Sequence, residues 1–327
     1  MKSTGQSHRP NDHPLVSIVM PARNERGSIA ASIRSALDQE YEGVLEVVVA
    51  DGSSVDGTRE LLDELAAADD RLRVVSNPDG NTPAGLNKAI LASRGEIVVR
   101  LDAHAVLPDG YVQRAVETLT TTGADNVGGI QDAHGETTLQ RAIAMAMSSP
   151  LGVGDARFRY GGTAGPADTV YLGVFRRQSL EKIGFFDERL LRNQDYELNY
   201  RIRRAGGLVY FDPELKIRYT PRGTLGGLWR QYYQYGQGKR RMLRTHPAAI
   251  RWRQLAPPAL IAGLAVSVVL AATPWRPLAL VVPALYVSFI VGGSLWSSLK
   301  HRVAATLLLP VVLPTMHLAW GLGFLSR

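Results

Sequence analysis

The sequence predicts an α/β domain followed by helices that span a membrane. Four short apolar segments in the N-terminal half alternate with stretches of helical periodicity, and only short connections separate them. Successive units of this kind indicate a mainly parallel sheet covered by helices on both faces. The C-terminal part instead contains three long stretches without a charged residue. These observations give the fold class: an α/β domain with a C-terminal membrane region.

The predicted elements follow in order along the N-terminal half. The expected strands are 15–20, 45–51, 72–76 and 96–102. A helix is expected from about Ser28 to Leu37, and two more helices follow the second and third strands. We expect Asp56 to cap the second helix, and Thr82 to cap the third helix with Pro83 at its first helical position. Ligands of such sheets bind beyond the carboxyl ends of the strands.

Polar residues follow three of these strands at the predicted carboxyl edge. Asn24 and Glu25 follow the first strand, Asp51 ends the second, and Asp102 and His104 end the fourth. Because side chains two apart in an extended chain point the same way, Asp102 and His104 are candidates to hold a metal ion. The simpler alternatives are an Asx turn at Asp51 and a solvated loop histidine at His104.

Two common nucleotide-binding motifs are missing from the sequence. No GxGxxG follows the first strand, and no Walker lysine motif occurs. Both absences disfavour a dinucleotide-binding fold and a P-loop ATPase. Cysteine is also absent, which excludes disulfides, thiolate catalysis and Cys-ligated zinc. The first 13 residues are polar, so we expect a short disordered tail and no secretory signal there.

The charge is divided unequally between the two parts of the chain. The formal net charge is +7, but no acidic residue follows Glu214, so residues 1–214 carry −7 and the remainder carries +14. A basic C-terminal part indicates either nucleic acid or an anionic membrane surface. Each uncharged stretch exceeds the roughly 20 residues that a membrane helix needs. The stretches are Leu255–Trp275, Pro277–Leu299 and Val303–Ser326. We therefore expect membrane lipids and no nucleic acid as partners.

The alternative for these stretches is three buried helices of a soluble domain, but such helices usually carry a polar face. Pro310 and Pro314 predict that the third stretch is kinked or partly re-entrant. Basic residues cluster before the first stretch and between the second and third. The positive-inside rule then places the N-terminal domain in the cytoplasm and the C-terminus outside.

Four segments together resemble family 2 glycosyltransferases of the GT-A fold, a Rossmann-like domain that binds nucleotide sugars. The segments are VSIVMPARNE, VVVADGSSVDGT, PAGLNKAILASRGEIVVRLDAHA and DERLLRNQDYELNYRIRRAGG. Within the family, the chain is similar to membrane-attached exopolysaccharide enzymes of the succinoglycan type, in which DAH replaces the usual DxD. The resemblance covers roughly residues 14–245. It implies an inverting transfer from a nucleotide-sugar donor, usually a UDP-sugar.

The resemblance also implies roles for residues on the donor side. The donor-binding residues would be Pro21, Asn24, Glu25, Asp51, Ser53, Lys88 and Asp102. Glu25 would lie near the ribose, and Asp51 would accept a hydrogen bond from the base. Asp102 and His104 would hold a divalent cation on the donor diphosphate, where it offsets charge on the departing nucleotide. His104 replaces the second Asp that is common in the family, and imidazole suits Mn²⁺ better than Mg²⁺.

The stretch RNQDYELNYRIRRAGG supplies a second cluster of acidic residues. In the family that the chain resembles, the acid at Asp195 is the general base for the acceptor hydroxyl. Gln194 replaces the Glu that usually precedes this base, as in the exopolysaccharide subgroup, and Glu197 is expected to bind the acceptor. The alternative is an acidic helix N-terminus that the helix dipole stabilises.

Two further segments are expected on the acceptor side. Residues 149–166 lack helical periodicity, which predicts either a mobile lid or a plain surface loop before the strand DTVYLGVF. LWRQYYQYGQGKRRMLRTHP combines aromatic and basic residues, as helices at a membrane surface do. Its side chains expected near the diphosphate of a polyprenyl-linked saccharide are Arg230, Gln234, Lys239 and Arg240. The Trp of a QxxRW motif is missing, which favours addition of one sugar over processive polymerisation.

These assignments divide the chain into four regions. They are a tail (1–13), a GT-A domain (14–221), a basic amphipathic segment at the membrane interface (222–254) and three transmembrane helices (255–327). The predicted function is an inverting, metal-dependent glycosyltransferase of the plasma membrane with a cytoplasmic catalytic domain. It would add a sugar to a lipid-linked saccharide during assembly of an extracellular polysaccharide or glycan. The alternatives are a polyprenyl-phosphate sugar transferase and a non-catalytic membrane subunit that binds nucleotide sugar.

Overall fold

The computed structural model describes residues 13–326, so the predicted tail lies almost wholly outside the described residues. The chain forms two compact units. The first contains residues up to 129, 164–188 and 201–215, and the second contains 130–163, 189–200 and the chain from 216 onward. This division differs from the predicted boundary at residue 221, because parts of the N-terminal half pack with the C-terminal helices.

The first unit is built on a mixed sheet with the strand order β3-β2-β1-β4-β7-β5-β8-β6. The strands are β1 (Val16–Ala22), β2 (Leu45–Asp51), β3 (Leu72–Ser76), β4 (Ile97–Arg100), β5 (Asn126–Ala133), β6 (Gly165–Pro166), β7 (Tyr171–Arg176) and β8 (Val209–Tyr219). Strands β1 to β4 pair in parallel, as predicted, and β2 and β3 have the predicted bounds. Strand β7 pairs antiparallel with both β4 and β5, so the sheet is less uniformly parallel than predicted. Strands β5 and β8 continue into the second unit.

The helices expected after the first three strands are present as α1 (Ile29–Leu37), α2 (Thr58–Ala68) and α3 (Thr82–Ala92), and further helices follow them before the apolar C-terminal helices. The further helices are α4 (Tyr111–Thr122), α5 (Thr138–Met147), α6 (Pro150–Val153), α7 (Arg157–Tyr160), α8 (Arg177–Ile183) and α9 (Gln194–Arg204). Two predicted caps are each wrong by one residue. The N-cap of α2 is Gly57, whose φ of +88° favours glycine, and the N-cap of α3 is Asn81, whose side chain accepts from the Ala84 N–H at 2.9 Å.

The displaced caps have a local cause. Asp56 does bond the start of α2, since its carboxylate accepts from the Thr58 N–H at 3.0 Å, but it does so from the residue before the cap. Thr82 is the first residue of α3 rather than its cap, so Pro83 occupies the second helical position. Both helices therefore start where the sequence indicates, within one residue.

The second unit contains the three longest apolar helices. The C-terminal helices are α10 (Leu225–Thr245), α11 (Ala256–Ala271), α12 (Val281–His301) and α13 (Leu309–Leu325), and short 3-10 turns precede α11, α12 and α13. Within the described residues, three segments are long and apolar enough to cross a membrane: Trp252–Ala271, Arg276–His301 and Ala304–Leu325. The third is continuous as a helix through Pro314. It is also the most buried of the three, because α10 and α5 pack against it.

Helix α10 packs closely on α13 through two glycines. A Cβ on Gly236 would lie 2.2 Å from the Trp320 carbonyl oxygen, and one on Gly323 would lie 2.1 Å from the Tyr233 carbonyl oxygen. Such distances leave room only for hydrogen, so the two backbones touch. The apolar face of α10 is thus covered by α13, a packing that the prediction of a helix lying on the membrane surface did not include.

Of the segment 149–166, residues 149–163 belong to the second unit and contain α6 and α7, whereas 164–166 belong to the first unit. The Leu151 carbonyl oxygen accepts from His317 Nε2 of α13 at 2.9 Å. A Cβ on Gly293 of α12 would lie 2.9 Å from the Leu151 side chain. Helix α6 therefore packs against α12 and α13, so its part of this segment is neither the mobile lid nor the plain surface loop that the sequence predicts.

Candidate active site

The carboxyl ends of β1, β2 and β4 lie side by side in the first unit. Ala22 is opposite Asp51 in the β1–β2 pair, and Val19 is opposite Arg100 in the β1–β4 pair. Because these strands are parallel and adjacent, the residues that follow them gather at one edge of the sheet. The predicted donor-side residues come from these three strand ends, except Lys88, which lies in α3.

Asn24 ties the loop after β1 to the loop after β2. Its backbone N–H donates to Ser54 Oγ at 2.9 Å, and its side-chain oxygen accepts from the Val55 N–H at 2.9 Å. Asn24 and Ser53 both have positive φ angles, +55° and +57°, which asparagine tolerates better than most residues. Asn24 therefore holds the loop of residues 53–55 against the loop that follows β1.

Asp51 presents an unpaired carboxylate oxygen at this edge. The residue is 5% exposed, and its Oδ2 accepts only a long bond from the Ser54 N–H at 3.5 Å. Its Oδ1 is buried and has no hydrogen-bond partner among residues 13–326. A buried oxygen without a hydrogen-bond partner destabilises the protein, and a ligand N–H group that donates to it would remove this cost.

Glu25 contacts His104 across the edge of the sheet. Glu25 Oε1 lies 3.3 Å from His104 Nδ1, and Glu25 Oε2 accepts from Ser28 Oγ at 2.9 Å. The hydrogen bond to His104 lowers the pKa of Glu25 below its ordinary value. A carboxylate on Nδ1 favours the imidazole tautomer whose lone pair is on Nε2, which is the usual arrangement behind a histidine that binds a metal.

Asp102 lies against a buried arginine that the sequence reasoning missed. Arg100, the last residue of β4, is 5% exposed, and its Nη2 donates to Asp102 Oδ1 at 2.9 Å. The signal was present in the sequence, since an arginine within an apolar strand needs a partner carboxylate. The Asp102 side chain remains 21% exposed, so it is also accessible to a ligand.

The metal donors at this edge are few. No cluster of three or more His, Asp and Glu residues within the described chain is arranged to hold a metal ion. Asp102 and His104 offer one carboxylate and one imidazole, a donor set that fits a cation taking its remaining ligands from substrate phosphate and water.

Pro21 and Lys88 are placed differently from each other. Pro21 lies in β1, and a Cβ on Gly85 of α3 would approach its ring to 3.0 Å, so α3 packs directly on it. Lys88 forms an ion pair with Asp79, and its side chain is about one-third exposed. A donor diphosphate would have to compete with Asp79 for this ammonium group.

Asp195 lies in the first turn of α9, in the second unit, and is partly buried. The loop before it is held by α10: Asn193 has a φ of +65° and its Nδ2 donates to the Tyr235 carbonyl oxygen at 3.2 Å. A Cβ on Gly238 would lie 2.7 Å from the Arg192 side chain. Helix α10 therefore fixes the position of the residues that lead into Asp195.

Glu197 and Lys239, both expected to contact the acceptor, are each 1% exposed. Glu197 Oε1 lies 2.9 Å from His246 Nε2, a partner that the sequence reasoning missed. Lys239 Nζ lies 3.4 Å from the centre of the Tyr196 ring, a cation–π contact. Both side chains thus contribute to the interior of the second unit around α9.

The other three residues expected near the acceptor are more accessible. Arg230 is exposed on α10. Gln234 is partly buried and accepts from Arg192 Nη2 at 3.2 Å. Arg240 donates to the carbonyl oxygens of Leu325, at 2.6 Å, and Ser326, so it binds the C-terminal end of α13.

Comparisons with known proteins agree with this architecture. The family model described as glycosyl transferase family 2 matches residues 17–184. The chain is 34% identical to the succinoglycan biosynthesis protein ExoA of Rhizobium meliloti (strain 1021), over 94% of this chain and 93% of that protein. It is 24% identical to a dolichyl N-acetyl-alpha-D-glucosaminyl phosphate 3-beta-D-2,3-diacetamido-2,3-dideoxy-beta-D-glucuronosyltransferase of Methanococcus voltae, over 73% and 77% of the two chains.

A solved structure with the same fold is the mannosyltransferase PcManGT from Pyrobaculum calidifontis, in complex with GDP-Man and Mn²⁺. Its TM-score is 0.63, with 22% identity over 91% of this chain and 87% of that one. At this identity the likeness supports the GT-A fold alone. The family model and the full-length similarity to ExoA together establish that this chain belongs to glycosyl transferase family 2.

Proposed function

We propose that this glycosyltransferase is a membrane-anchored, inverting enzyme that moves a sugar from a UDP-sugar to a hydroxyl group of a lipid-linked saccharide. The observation that carries the proposal is Asp51, which ends β2 at the carboxyl edge of the sheet and whose buried Oδ1 has no partner in the described chain. A nucleobase is the part of a donor that fits this carboxylate.

The unpartnered carboxylate oxygen fits uracil and disfavours cytosine. Uracil offers one ring N–H flanked by carbonyl groups, which matches one acceptor atom. Cytosine has an unprotonated ring nitrogen at the corresponding position, so a carboxylate there would repel it.

Asp102 and His104 are proposed to hold a divalent cation on the donor diphosphate. A bound cation would offset the negative charge that forms on the leaving nucleoside diphosphate. Glu25 would orient His104 through Nδ1, and Arg100 would orient Asp102 through Oδ1. PcManGT, which has the same fold, is bound to Mn²⁺ and GDP-Man.

Asp195 is proposed to be the general base. Its carboxylate takes the proton of the acceptor hydroxyl while the hydroxyl oxygen bonds to the anomeric carbon and the bond to the diphosphate oxygen breaks. The electron pair of the broken bond leaves with the nucleoside diphosphate. One displacement inverts the anomeric centre, and no covalent enzyme intermediate is needed.

A lipid-linked acceptor is supported by the membrane region. The second unit contains three helices long and apolar enough to span a bilayer. ExoA is named for succinoglycan biosynthesis, and the Methanococcus relative is named for a dolichyl-phosphate-linked acceptor. We propose the same setting, assembly of an extracellular polysaccharide or glycan on a lipid carrier, for this chain.

The proposal is tested by incubating purified full-length protein with a panel of nucleotide sugars and lipid-linked acceptors. Products are detected by mass. We expect one UDP-sugar to be consumed and its sugar to appear on a saccharide hydroxyl. Transfer to lipid phosphate itself would identify a polyprenyl-phosphate sugar transferase instead. Donor binding without transfer or hydrolysis would identify a non-catalytic subunit.

Replacing Asp51 by Ala should raise the KM for the UDP-sugar by about tenfold or more, because a hydrogen bond to a charged group is lost. The preference for UDP over CDP in competition assays should fall in parallel, since this carboxylate distinguishes the bases. Asp70→Ala, at an exposed aspartate after α2, serves as the control and should change neither quantity. An unaltered UDP preference in Asp51→Ala would mean that the base is read elsewhere.

The C-terminus is expected outside the cytoplasm, because basic residues flank the spans on the side of the catalytic domain. A reporter that is active only outside should be active when fused after Arg327. The same reporter fused after Arg302, between the second and third spans, should be inactive. Activity of a cytoplasmic reporter at both points would indicate that the third segment is re-entrant.

A further inference from the structure

Arg159 of α7 is a partly buried cation without an acidic partner. Its Nη1 donates to the side-chain oxygen of Gln131, at the end of β5. Among the described residues, no Asp or Glu forms an ion pair with it. Arginine stays charged at any physiological pH, so a guanidinium removed from water without a carboxylate is costly unless an anion binds it.

Three tyrosines of the second unit lie near this guanidinium, and Tyr235 hydrogen-bonds to it. Burial acts to lower the pKa of Arg159 and the neighbouring tyrosine side chains act to raise it; the pKa is raised on balance, so the guanidinium keeps its charge. Burial also raises the pKa of Tyr232 and of Tyr219, so both remain protonated. The group of Arg159, Tyr219, Tyr232 and Tyr235, here called the Arg159 cluster, therefore consists of hydrogen-bond donors.

Two polar groups beside Arg159 lack partners. The amide nitrogen of Gln231 donates to the hydroxyl oxygens of Tyr219 and Tyr235, each at 2.9 Å. The Gln231 side-chain oxygen and the Tyr232 hydroxyl are buried, and neither has a hydrogen-bond partner within residues 13–326. If the amide is rotated by half a turn, both tyrosines can donate to its oxygen and its NH₂ becomes the unpartnered group. Donors outnumber acceptors in both orientations.

The Arg159 cluster adjoins the loop that leads into Asp195. Tyr235 contributes its hydroxyl to the cluster, and its carbonyl oxygen accepts from Asn193 Nδ2 at 3.2 Å. Asn193 precedes Asp195 by two residues. Tyr232 also belongs to the apolar cluster that includes Leu309, Val312 and Met316 of the third membrane segment. The cluster thus contacts both the loop that precedes the proposed base and the helix α13.

We propose that the Arg159 cluster binds the phosphate group of the acceptor's lipid carrier. A guanidinium with three hydroxyl donors suits a phosphate, which presents several anionic oxygens in a tetrahedral arrangement, whereas the guanidinium fork alone would satisfy a planar carboxylate. The contact with α13 suits a phosphate whose attached chain lies in the bilayer. The inference rests on the proposed function for its lipid-linked acceptor, but binding can be measured without any sugar transfer.

The test measures binding of farnesyl diphosphate to full-length protein in detergent, with the donor site filled by saturating UDP. Arg159→Gln should weaken binding by about tenfold or more, and Arg159→Lys should be intermediate because lysine keeps the charge but lacks the fork. Arg157→Gln, an exposed neighbour in α7, is the control and should bind as wild type does. Farnesol and inorganic pyrophosphate should both bind more weakly than farnesyl diphosphate.

Tyr232→Phe separates binding from a structural role. The Tyr232 hydroxyl has no partner in the described chain, so its removal should leave the thermal midpoint unchanged or raised. A phosphate-binding hydroxyl predicts weaker farnesyl diphosphate binding by severalfold in the same variant.

The inference is overturned if Arg159→Gln and Tyr232→Phe bind the probe like wild type, or if wild type does not bind it. Equal affinity for pyrophosphate would overturn the lipid carrier as ligand, and failure of sugar transfer would leave the binding result standing.

Discussion

Asp195→Asn is expected to reduce turnover by about 10²-fold or more at saturating donor and acceptor, the usual contribution of a well-placed general base. Asparagine keeps the size of the side chain and much of its hydrogen bonding, but it cannot take the proton of the acceptor hydroxyl. Nucleotide binding, measured by calorimetry, should persist, because the proposed donor contacts are at Asp51, Asp102 and His104. A loss of kcat with an unchanged Kd for UDP would therefore identify a chemical role.

Glu197→Gln provides the informative comparison for this prediction. Glu197 is 1% exposed and bonded to His246 Nε2 at 2.9 Å, so its replacement weakens a buried charge-assisted hydrogen bond. We expect a lower thermal midpoint and a smaller loss of turnover per folded molecule than in Asp195→Asn. Glu136→Gln, at an exposed position, should match wild type in both measurements.

The two carboxylates of α9 could exchange roles, and the kinetics would reveal it. Near-normal transfer by Asp195→Asn together with an inactive but folded Glu197→Gln would make Glu197 the base. Normal transfer by both variants would mean that the acidic pair only stabilises the helix N-terminus. The burial of Glu197 against His246 argues that Asp195 is the base, because an acceptor hydroxyl must reach the base.

The parallel part of the sheet could be predicted because each strand carries its own signal. β2 is a run of seven buried residues that ends at Asp51, and its predicted bounds match the structure. β5 begins Asn-Val-Gly-Gly, and β8 contains Asp212 and Pro213, so neither reads as a strand along its whole length, although residues 215–219 of β8 alternate apolar and charged side chains. Their places are set by pairing with distant strands, which sequence periodicity does not record.

The contacts of the residues expected near the acceptor depend on tertiary packing. Lys239 and Arg240 are adjacent in a basic run that resembles a solvated face, yet Lys239 lies over the Tyr196 ring while Arg240 binds the end of α13. The sequence of this basic run does not indicate which of its cationic side chains is buried. The surroundings of Arg159 could not be predicted for a related reason. Its aromatic and amide neighbours come from β5, β8 and α10, which are far apart in the sequence.

Asp102→Ala is expected to abolish the dependence of donor binding on Mn²⁺ and to reduce turnover by about 10²-fold or more. The carboxylate is one of two protein groups at the strand ends suited to hold the cation, and His104 alone is too weak a site. Removing it also leaves the buried Arg100 guanidinium without this carboxylate, close to where the diphosphate is proposed to lie. We therefore expect residual UDP binding that no longer responds to Mn²⁺ or to chelator, rather than complete loss of binding.

Two controls make the Asp102 result specific to the metal. Asp109→Ala removes an exposed carboxylate from the same loop and should leave Mn²⁺ dependence and turnover intact. Asp102→Asn retains an oxygen that can accept from Arg100 and so preserves the local packing, but it removes the charge that attracts the cation. If Asp102→Asn and Asp102→Ala lose Mn²⁺ dependence alike, the charge is the cause and not a disturbed strand end. If wild-type turnover is undiminished in excess chelator, or if Asp102→Ala still binds donor more tightly when Mn²⁺ is added, Asp102 does not hold a catalytic cation and its role is limited to pairing with Arg100.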